Sequence, residues 1–411
     1  MKTASRALTA FLLSVSAGMG FAGDEAEPSR AADLLPPVRM AAAGRPIVAD
    51  GRCAALTMGD FDNDGKMDLL VGQMAEGRLR IYRNTGTAAQ PKFGEATDFM
   101  AGDQRACIPS GCYTAFSPQL VDFDGDGRSD VLSPSFNSGI YFFRRTEDGN
   151  FAGAVMLDDR HGRPIEFRYN GAAVACDWDA DGDLDLVVRG SLAGARNGVN
   201  VIINEGRREN PAYGEIQLLT AGGKAVLGKP CSVVDWDGDG KDDLLTCAGS
   251  AYWYRNTGEK GKPELQPAEI LVPSGRYHQV ERRREAPQQV PDEPGRIDSL
   301  SAADVNGDGR LDLLAASTWC ENVELPEPTD EERTAMKDVE ARADSLGERC
   351  RELSKPPEDE SREARIRRQK EFLRVWKEYA ALRAASSEFR SHHDYSCVWL
   401  FERTAAGNRW P

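Results

Sequence analysis

The stretch Asp235–Leu245, DWDGDGKDDLL, places five aspartates within nine residues and then turns apolar. Like charges this close repel, and aspartate and glycine both disfavour regular helix and strand, so the segment is costly unless a positive charge sits inside it. A hard cation answers that requirement.

The same pattern, D-x-[DN]-x-D-G-x-x-D followed by two aliphatic residues, starts again at Asp60 (DFDNDGKMDLL), Asp122 (DFDGDGRSDVL), Asp177 (DWDADGDLDLV) and Asp304 (DVNGDGRLDLL). Calcium takes six to eight oxygen ligands, which a short loop supplies when carboxylates alternate with residues that point away. Positions 1, 3, 5 and 9 supply side chains and position 7 a backbone carbonyl. The candidate ligands are therefore Asp60, Asp62, Asp64, Lys66 and Asp68; Asp122, Asp124, Asp126, Arg128 and Asp130; and Asp177, Asp179, Asp181, Asp183 and Asp185. Asp235, Asp237, Asp239, Lys241 and Asp243 form the fourth set, and Asp304, Asn306, Asp308, Arg310 and Asp312 the fifth. The spacing follows an EF-hand up to its glycine, then departs from it. Position 12, where an EF-hand places a bidentate glutamate, is Val71, Ser133, Val188, Thr246 or Ala315. The flanks LTMGDFD and LLVG read as short strands rather than helices. Acidic surface turns would account for one such loop, but not for five with a fixed ninth aspartate.

The first aspartates lie 62, 55, 58 and 69 residues apart. After each loop comes a second apolar strand ending in a turn: LRIYRNTG, IYFFRRTEDG, VNVIINEG, AYWYRNTG and VWLFERTAAG. Four of the units continue into PKFGEATDF, GNFAGAVML, PAYGEIQLL or PELQPAEIL. Four short antiparallel strands per period of roughly 60 residues is the arithmetic of a propeller blade. The last unit lacks its outer strand. Pro36–Ile47, PPVRMAAAGRPI, resembles AVMLDDRHGRPI of the third unit and stands at nearly the same distance from the next loop. The reading is an all-β, five-bladed propeller whose amino-terminal strand closes the last blade and removes the sheet edges.

On these motifs the chain resembles the FG-GAP-like or VCBS-type repeat propellers, relatives of the integrin alpha-subunit head. DFDNDGKMDLL, DFDGDGRSDVL and DWDGDGKDDLL are similar to that family's calcium loop, and PKFGEA and PAYGEI to its Phe-Gly element. The resemblance implies the fold and calcium as the cofactor, at about five sites. The family includes adhesion, carbohydrate-binding and lyase members, so an activity does not follow from it. The fifth loop departs from the pattern through Asn306.

The first 23 residues, MKTASRALTAFLLSVSAGMGFAG, carry Lys2 and Arg6 ahead of an apolar run with small residues near its end. They read as a signal peptide, residues 1–22, cleaved near Ala22. No later segment approaches the roughly 20 apolar residues of a membrane span. The expected location is secreted, periplasmic or at the cell surface. Nine cysteines in such a chain are compatible with some disulfides, and Cys107 and Cys112 in CIPSGC could close a small loop. The net charge of -15, to which the loops contribute 21 aspartates, argues against a nucleic-acid partner.

The propeller is expected over 23–325 and 392–411, with an inserted α-helical hairpin at 326–391. Thr329 and Glu332 have capping-box spacing. Met336, Val339, Ala343, Leu346, Cys350 and Leu353 recur by three and four, SKPPEDES breaks the helix, and Phe372, Val375, Tyr379, Leu382 and Phe389 continue the pattern. The two helices pack antiparallel and are expected to project from the ring, either as a spacer or as an arm that contacts a partner or a second copy.

All the irregular insertions belong to the face opposite the acidic loops: AGDQRACIPSGCY, RGSLAGARNG, RYHQVERRREAPQQVPDEPGR and the hairpin. Recognition concentrates on loops held by a rigid scaffold, so a carbohydrate or protein ligand is placed there. Arg52, Tyr113, Arg168, Lys229 and Arg296 stand where inner strands begin around the channel, either paired with nearby acids or facing an anionic ligand such as a uronate or sulfated sugar. The chain has no HExxH, no G-x-S-x-G and no phosphate-cradling loop, and is not expected to be an enzyme. His278 beside Tyr277 and Arg276 is the constellation a polysaccharide lyase would use. His392 and His393, before Asp394 at the hairpin's root, read as a polar joint or a metal site. The leading reading is an exported calcium-binding module for carbohydrate or protein. Assembly through the helical arm is the second reading and a lyase the third.

Overall fold

The computed structural model describes residues 31–73, 77–108, 116–135, 138–167, 171–353, 360–386 and 391–404. The leader, Cys112, Tyr113, Arg168 and Phe389 lie outside the described residues. In each of the first four blades four strands pair antiparallel in chain order. Blade 1 comprises Ala55–Gly59, Asp68–Gly72, Leu79–Tyr82 and Thr97–Asp98, and blade 2 comprises Gln119–Val121, Asp130–Pro134, Ile140–Phe143 and Val155–Met156. Blade 3 is Ala172–Cys176, Asp185–Arg189, Asn200–Asn204 and Tyr213–Leu218; blade 4 is Lys229–Val234, Asp243–Cys247, Ala251–Tyr254 and Glu269–Val272.

Side-chain size follows place in the ring. The inner strands converge on the axis and use small residues there, as in AAVAC (172–176) and the alanines at 302 and 303. The second strands, DLLVG, DVLSP and DLLTC, are buried along their whole length because neighbouring blades cover both of their faces. Five apolar clusters accordingly fill the seams between successive blades. Each fully buried leucine or valine there contributes about 1.5–3 kcal/mol of transfer free energy. The outer strands are short and leave Val38, Val155 and Ile270 exposed.

Blade 5 is built from Ile297–Ala303, Asp312–Glu324, His392–Phe401 and, from the other end of the chain, Val38–Arg39. Val38 pairs with Leu400 and Arg39 with Trp399, so the amino-terminal strand closes the ring. Val48–Asp50 adds a further pairing to the third strand, and Asp33 accepts from Arg403 Nε at 2.8 Å.

The second and third strands of this blade run on past its edge, pairing as far as Asn322 with His392. His278–Arg283 lies parallel beside this extension, His278 facing Trp319 and Arg283 facing Glu324. The segment expected as an irregular insertion is therefore partly strand. Its alternating burial, half-buried at His278, Val280 and Arg282, was masked in the sequence by a run of charges. Arg282 Nε stands 2.8 Å from the fully buried Glu321, a pairing that offsets the cost of burying that carboxylate.

Helices α1 (Asp330–Leu353) and α2 (Arg362–Ala385) ride on this extension. The capping box forms, with Thr329 N donating to Glu332 Oε2 at 2.7 Å and Glu332 N to Thr329 Oγ1 at 3.2 Å. The expected seam of α1 is its covered stripe, with Ala343 and Leu353 buried. The hairpin does not project. Arg365 Nη2 reaches Asp158 Oδ2 at 2.9 Å, Gln369 Nε2 donates to Met156 Sδ at 3.7 Å, and Trp376 is buried against Gly77. A Cβ on Gly77 would lie 2.5 Å from the Trp376 ring. Thus α2 carries two stripes, one toward α1 and one, through Arg365, Gln369 and Trp376, toward blades 1 and 2. A search for a single apolar seam sees only the first, because the second is built mostly of polar side chains.

Candidate metal centres

Every acidic loop joins an inner strand to a second strand, so all five open at one end of the ring. Their shape is set by backbone conformation. Position 6 is glycine with φ of +82°, +84°, +101°, +87° and +84° at Gly65, Gly127, Gly182, Gly240 and Gly309. Position 4 is left-handed too, at Gly125, Gly238 and Gly307 but also at Asn63 (+61°) and Ala180 (+59°). Two left-handed residues separated by one carboxylate turn the chain around the point where the side chains converge.

Hydrogen bonds divide the aspartates into roles. At position 1, Asp60, Asp122, Asp177, Asp235 and Asp304 each accept the N–H of the position-6 glycine at 2.8–3.2 Å. At position 5, Asp64, Asp126, Asp181, Asp239 and Asp308 each accept the position-7 N–H at 2.9–3.0 Å. Position 9 is a lock. Oδ2 of Asp68, Asp130, Asp185, Asp243 and Asp312 accepts the position-2 N–H of Phe61, Phe123, Trp178, Trp236 and Val305. Oδ1 accepts the N–H of Asn84, Arg145, Asn204, Asn256 or Arg403 at 2.7–2.8 Å, tying each loop to the end of the third strand of its blade. Burial raises these locking carboxyls, against the pull of the donated N–H groups, to about 6 at Asp130, Asp185 and Asp243.

Four groups of carboxylates among the described residues could hold a metal ion, with oxygens within 4.8 Å of one another: Asp60, Asp62 and Asp68; Asp122, Asp124 and Asp130; Asp177, Asp179 and Asp185; Asp235, Asp237 and Asp239. The fifth loop is not among them, since Asn306 replaces the central carboxylate. Within these groups the oxygens Asp122 Oδ1, Asp124 Oδ1 and Asp179 Oδ1 are buried without a hydrogen-bond donor. Acceptors left in that condition fit a divalent cation.

Arginine supplies a second source of positive charge that the loop motif does not contain. Arg83 Nε is 2.9 Å from Asp62, Arg144 Nε 2.6 Å from Asp124 and Arg255 Nε 2.6 Å from Asp237. All three occupy the same place, just after the third strand, in IYRN, YFFRR and YWYRN. The recurrence of arginine there was the available signal. The third and fifth units have Ile203 and Glu402 instead. The third loop therefore combines five aspartates with no such bracket, and its Asp179 and Asp183 are raised by burial and then by the neighbouring carboxylates.

On the opposite face two of the predicted cations, Arg52 and Arg296, meet acids. Arg52 Nε pairs with Asp394 at 2.8 Å, and Tyr277 Oη donates to the same carboxylate at 2.9 Å. Arg296 Nε lies 3.7 Å from Asp298. The Asp298 carboxyl is raised by burial, while Thr318 and the charges of Arg296 and Lys229 oppose the rise. His278 Nε2 is buried without a hydrogen-bond partner, and His392 Nδ1 is 2.9 Å from Asn322 Oδ1. Between these two ends the inner strands enclose a cavity of about 190 Å³ lined by Lys229, Cys231, Ser232, Ser299 and Ser301 among others.

Blades of this kind carrying these loops define a repeat propeller with acidic, metal-competent loops. The model of the FG-GAP-like repeat matches residues 60–133, 122–188, 177–246 and 235–315, more than half of the chain, and the chain belongs to that family. No curated protein matches it. Among solved structures it is similar to the Tc holotoxin pore of Photorhabdus luminescens, at 14% identity over 66% of this chain and 15% of that one, with a TM-score of 0.30. It is also similar to a putative oxidoreductase (glucose dehydrogenase) from Thermus thermophilus, at 11% identity over 66% of this chain and 93% of that one, with a TM-score of 0.30. The chain thus spans about a seventh of the first of these. Among the described residues no helix is long and apolar enough to cross a membrane.

Proposed function

We propose that the chain is an exported, calcium-dependent binding module that presents a carbohydrate or protein ligand site on the face opposite the acidic loops. The observation that carries the calcium reading is the set of buried carboxylate oxygens at Asp122, Asp124 and Asp179 that no donor satisfies. Oxygen-only ligands on a flexible loop suit calcium better than a metal that prefers nitrogen or sulfur. A bound ion would tie the inner strand to the second strand in each blade and stiffen the ring. The protein's own part is to hold the carboxylates together: the left-handed turns converge them, and the position-9 locks fix the loop to the sheet. The apolar leader supports export. The ligand face is built on Arg52, Lys229 and Arg296 around the channel mouth, with the long connections and the hairpin at its rim, and binding rather than catalysis accounts for it.

A glycan and polysaccharide array probed with the full chain in calcium and in excess chelator tests this reading. Calcium-dependent retention on acidic polysaccharides, lost in the Lys229→Ala and Arg296→Ala variants, is the expected result. Retention that is unchanged by both variants refutes the placement of the ligand face.

A further inference from the structure

Two cysteines of blade 4 lie against each other beside the central cavity. Cys231 Sγ is 3.5 Å from Cys247 Sγ, on antiparallel neighbouring strands. The pairing explains how they meet. Lys229 faces Cys247 and Pro230 faces Thr246, but the next partner of Leu245 is Ser232, so Cys231 is the extra residue of a bulge. The bulge turns its side chain along the strand toward Cys247 instead of straight across. Cys231 is half-buried and lines the cavity, whereas Cys247 is buried and contacts the Asp298 carbonyl at 3.2 Å. The two therefore differ in access while sharing a contact. A disulfide needs the sulfurs at about 2.05 Å, so forming the bond requires the two side chains to close the rest of the 3.5 Å gap.

We propose that Cys231 and Cys247 form a reversible disulfide, made by exchange with a small-molecule disulfide that enters the cavity. Cys231, the accessible member, loses its proton and attacks one sulfur of the oxidant. The oxidant's S–S bond breaks and its departing thiolate takes up a proton. Cys247 then loses its proton and attacks the Cys231 sulfur of the mixed disulfide, releasing the second small thiol. The two protein thiols give up two electrons and two protons, and one oxidant disulfide becomes two thiols. Charge supports this order. Burial pushes the Cys231 thiol up, but the adjacent Cys247 thiol and the Lys229 charge outweigh it and hold Cys231 below the usual thiol range; the contact with Cys231, and burial, push Cys247 well above it.

The bond encloses residues 232–246, the whole of the fourth acidic loop with the adjoining parts of both flanking strands. Closing that segment covalently restrains the unfolded chain and so raises the resistance of blade 4 to unfolding. The assignment does not depend on occupancy of the loop by a metal.

The full chain, equilibrated with oxidised glutathione or with a phosphine reductant, is alkylated in denaturant, digested and analysed by mass spectrometry. The expected result is a cross-linked pair of peptides containing Cys231 and Cys247, both protected from alkylation together in the oxidised sample and both alkylated after reduction. In C247S a glutathione adduct should persist on Cys231. Alkylation of both residues after oxidation overturns the proposal, as does a bond from Cys231 to Cys53. An adduct that accumulates on Cys231 in the wild type also overturns it, because Cys247 then fails to resolve it. If C247S does not fold, the wild-type cross-link and its protection pattern decide.

Discussion

Asp68 accepts the backbone N–H of Asn84 at 2.7 Å while its other oxygen accepts the N–H of Phe61 at 3.1 Å, so the ninth residue of the first loop fastens inner, second and third strands at one point. The same double acceptance recurs in all five blades. Position 9 is thus a structural element in its own right, separable from the carboxylates at positions 1 and 3.

That separation can be measured. Asp68→Ala leaves two buried N–H groups without acceptors and is expected to cost about 2–4 kcal/mol, whether or not metal is present. Asp62→Ala, at a part-exposed position beside Arg83, should cost less than about 1 kcal/mol in chelator and more in calcium. Urea denaturation of both variants with and without calcium gives the comparison. Equal losses for the two variants in chelator would show that position 9 is only a ligand.

The pH dependence of the metal-free protein follows from the same locks. Asp130, Asp185 and Asp243 are raised to about 6, above the value near 4 of an unfolded aspartate. Between those values the folded state binds more protons than the unfolded state, so in chelator stability should rise as pH falls from about 7 toward 4. With calcium the order should reverse, because protons compete with the ion for the same carboxylates. Melting curves at several pH values, in chelator and in calcium, check the sign. Stability in chelator that falls steadily below pH 6 would contradict the raised locks.

The docked hairpin makes a third expectation. Trp376 is buried against blade 1, so Trp376→Ala should cost about 3–5 kcal/mol. Gly77→Ala should also destabilise, since its Cβ would meet the Trp376 ring and its φ is +55°. Calorimetry should show one cooperative transition for hairpin and ring together. A separate low-temperature transition that alone responds to Trp376→Ala would mean the hairpin folds independently of the ring.

Much of this was legible in the chain. The five loops and the strands after them carry a short, local, repeated signal, and the ring closure could be read because GRPI recurs at a matching distance. What escaped the sequence was long-range. The arginine bracket sits about 20 residues from the carboxylate it meets, as Arg83 does from Asp62, and its register depends on strand pairing. The parallel strand His278–Arg283 alternates exposed residues with a half-buried face, which its run of charges hides. The docking of α2 depends on Arg365 finding Asp158 across a large stretch of chain, and on a glycine at 77 that makes room for an indole; neither has a periodic signature.

Among the loops, charge orders the sites. The third has five aspartates and no arginine bracket, while the fifth has Asn306 in place of a carboxylate and Arg310 ion-paired with Asp308 at 2.5 Å. On stepwise chelation the fifth should release its ion first and the third last. Crystals grown at limiting calcium, scored for occupancy loop by loop, read that order. Full occupancy of the fifth loop with the third empty would contradict it.

The central claim is that the acidic loops hold divalent cations which stabilise the ring. Native mass spectrometry of the full chain, combined with its melting curve on titration from excess chelator into calcium, tests it most directly. The account predicts at least four bound calcium ions and a melting temperature that climbs by many degrees as they load, because an ion that binds only the folded state stabilises it by mass action. A chain that retains no ion at millimolar calcium and melts at the same temperature in chelator would contradict it.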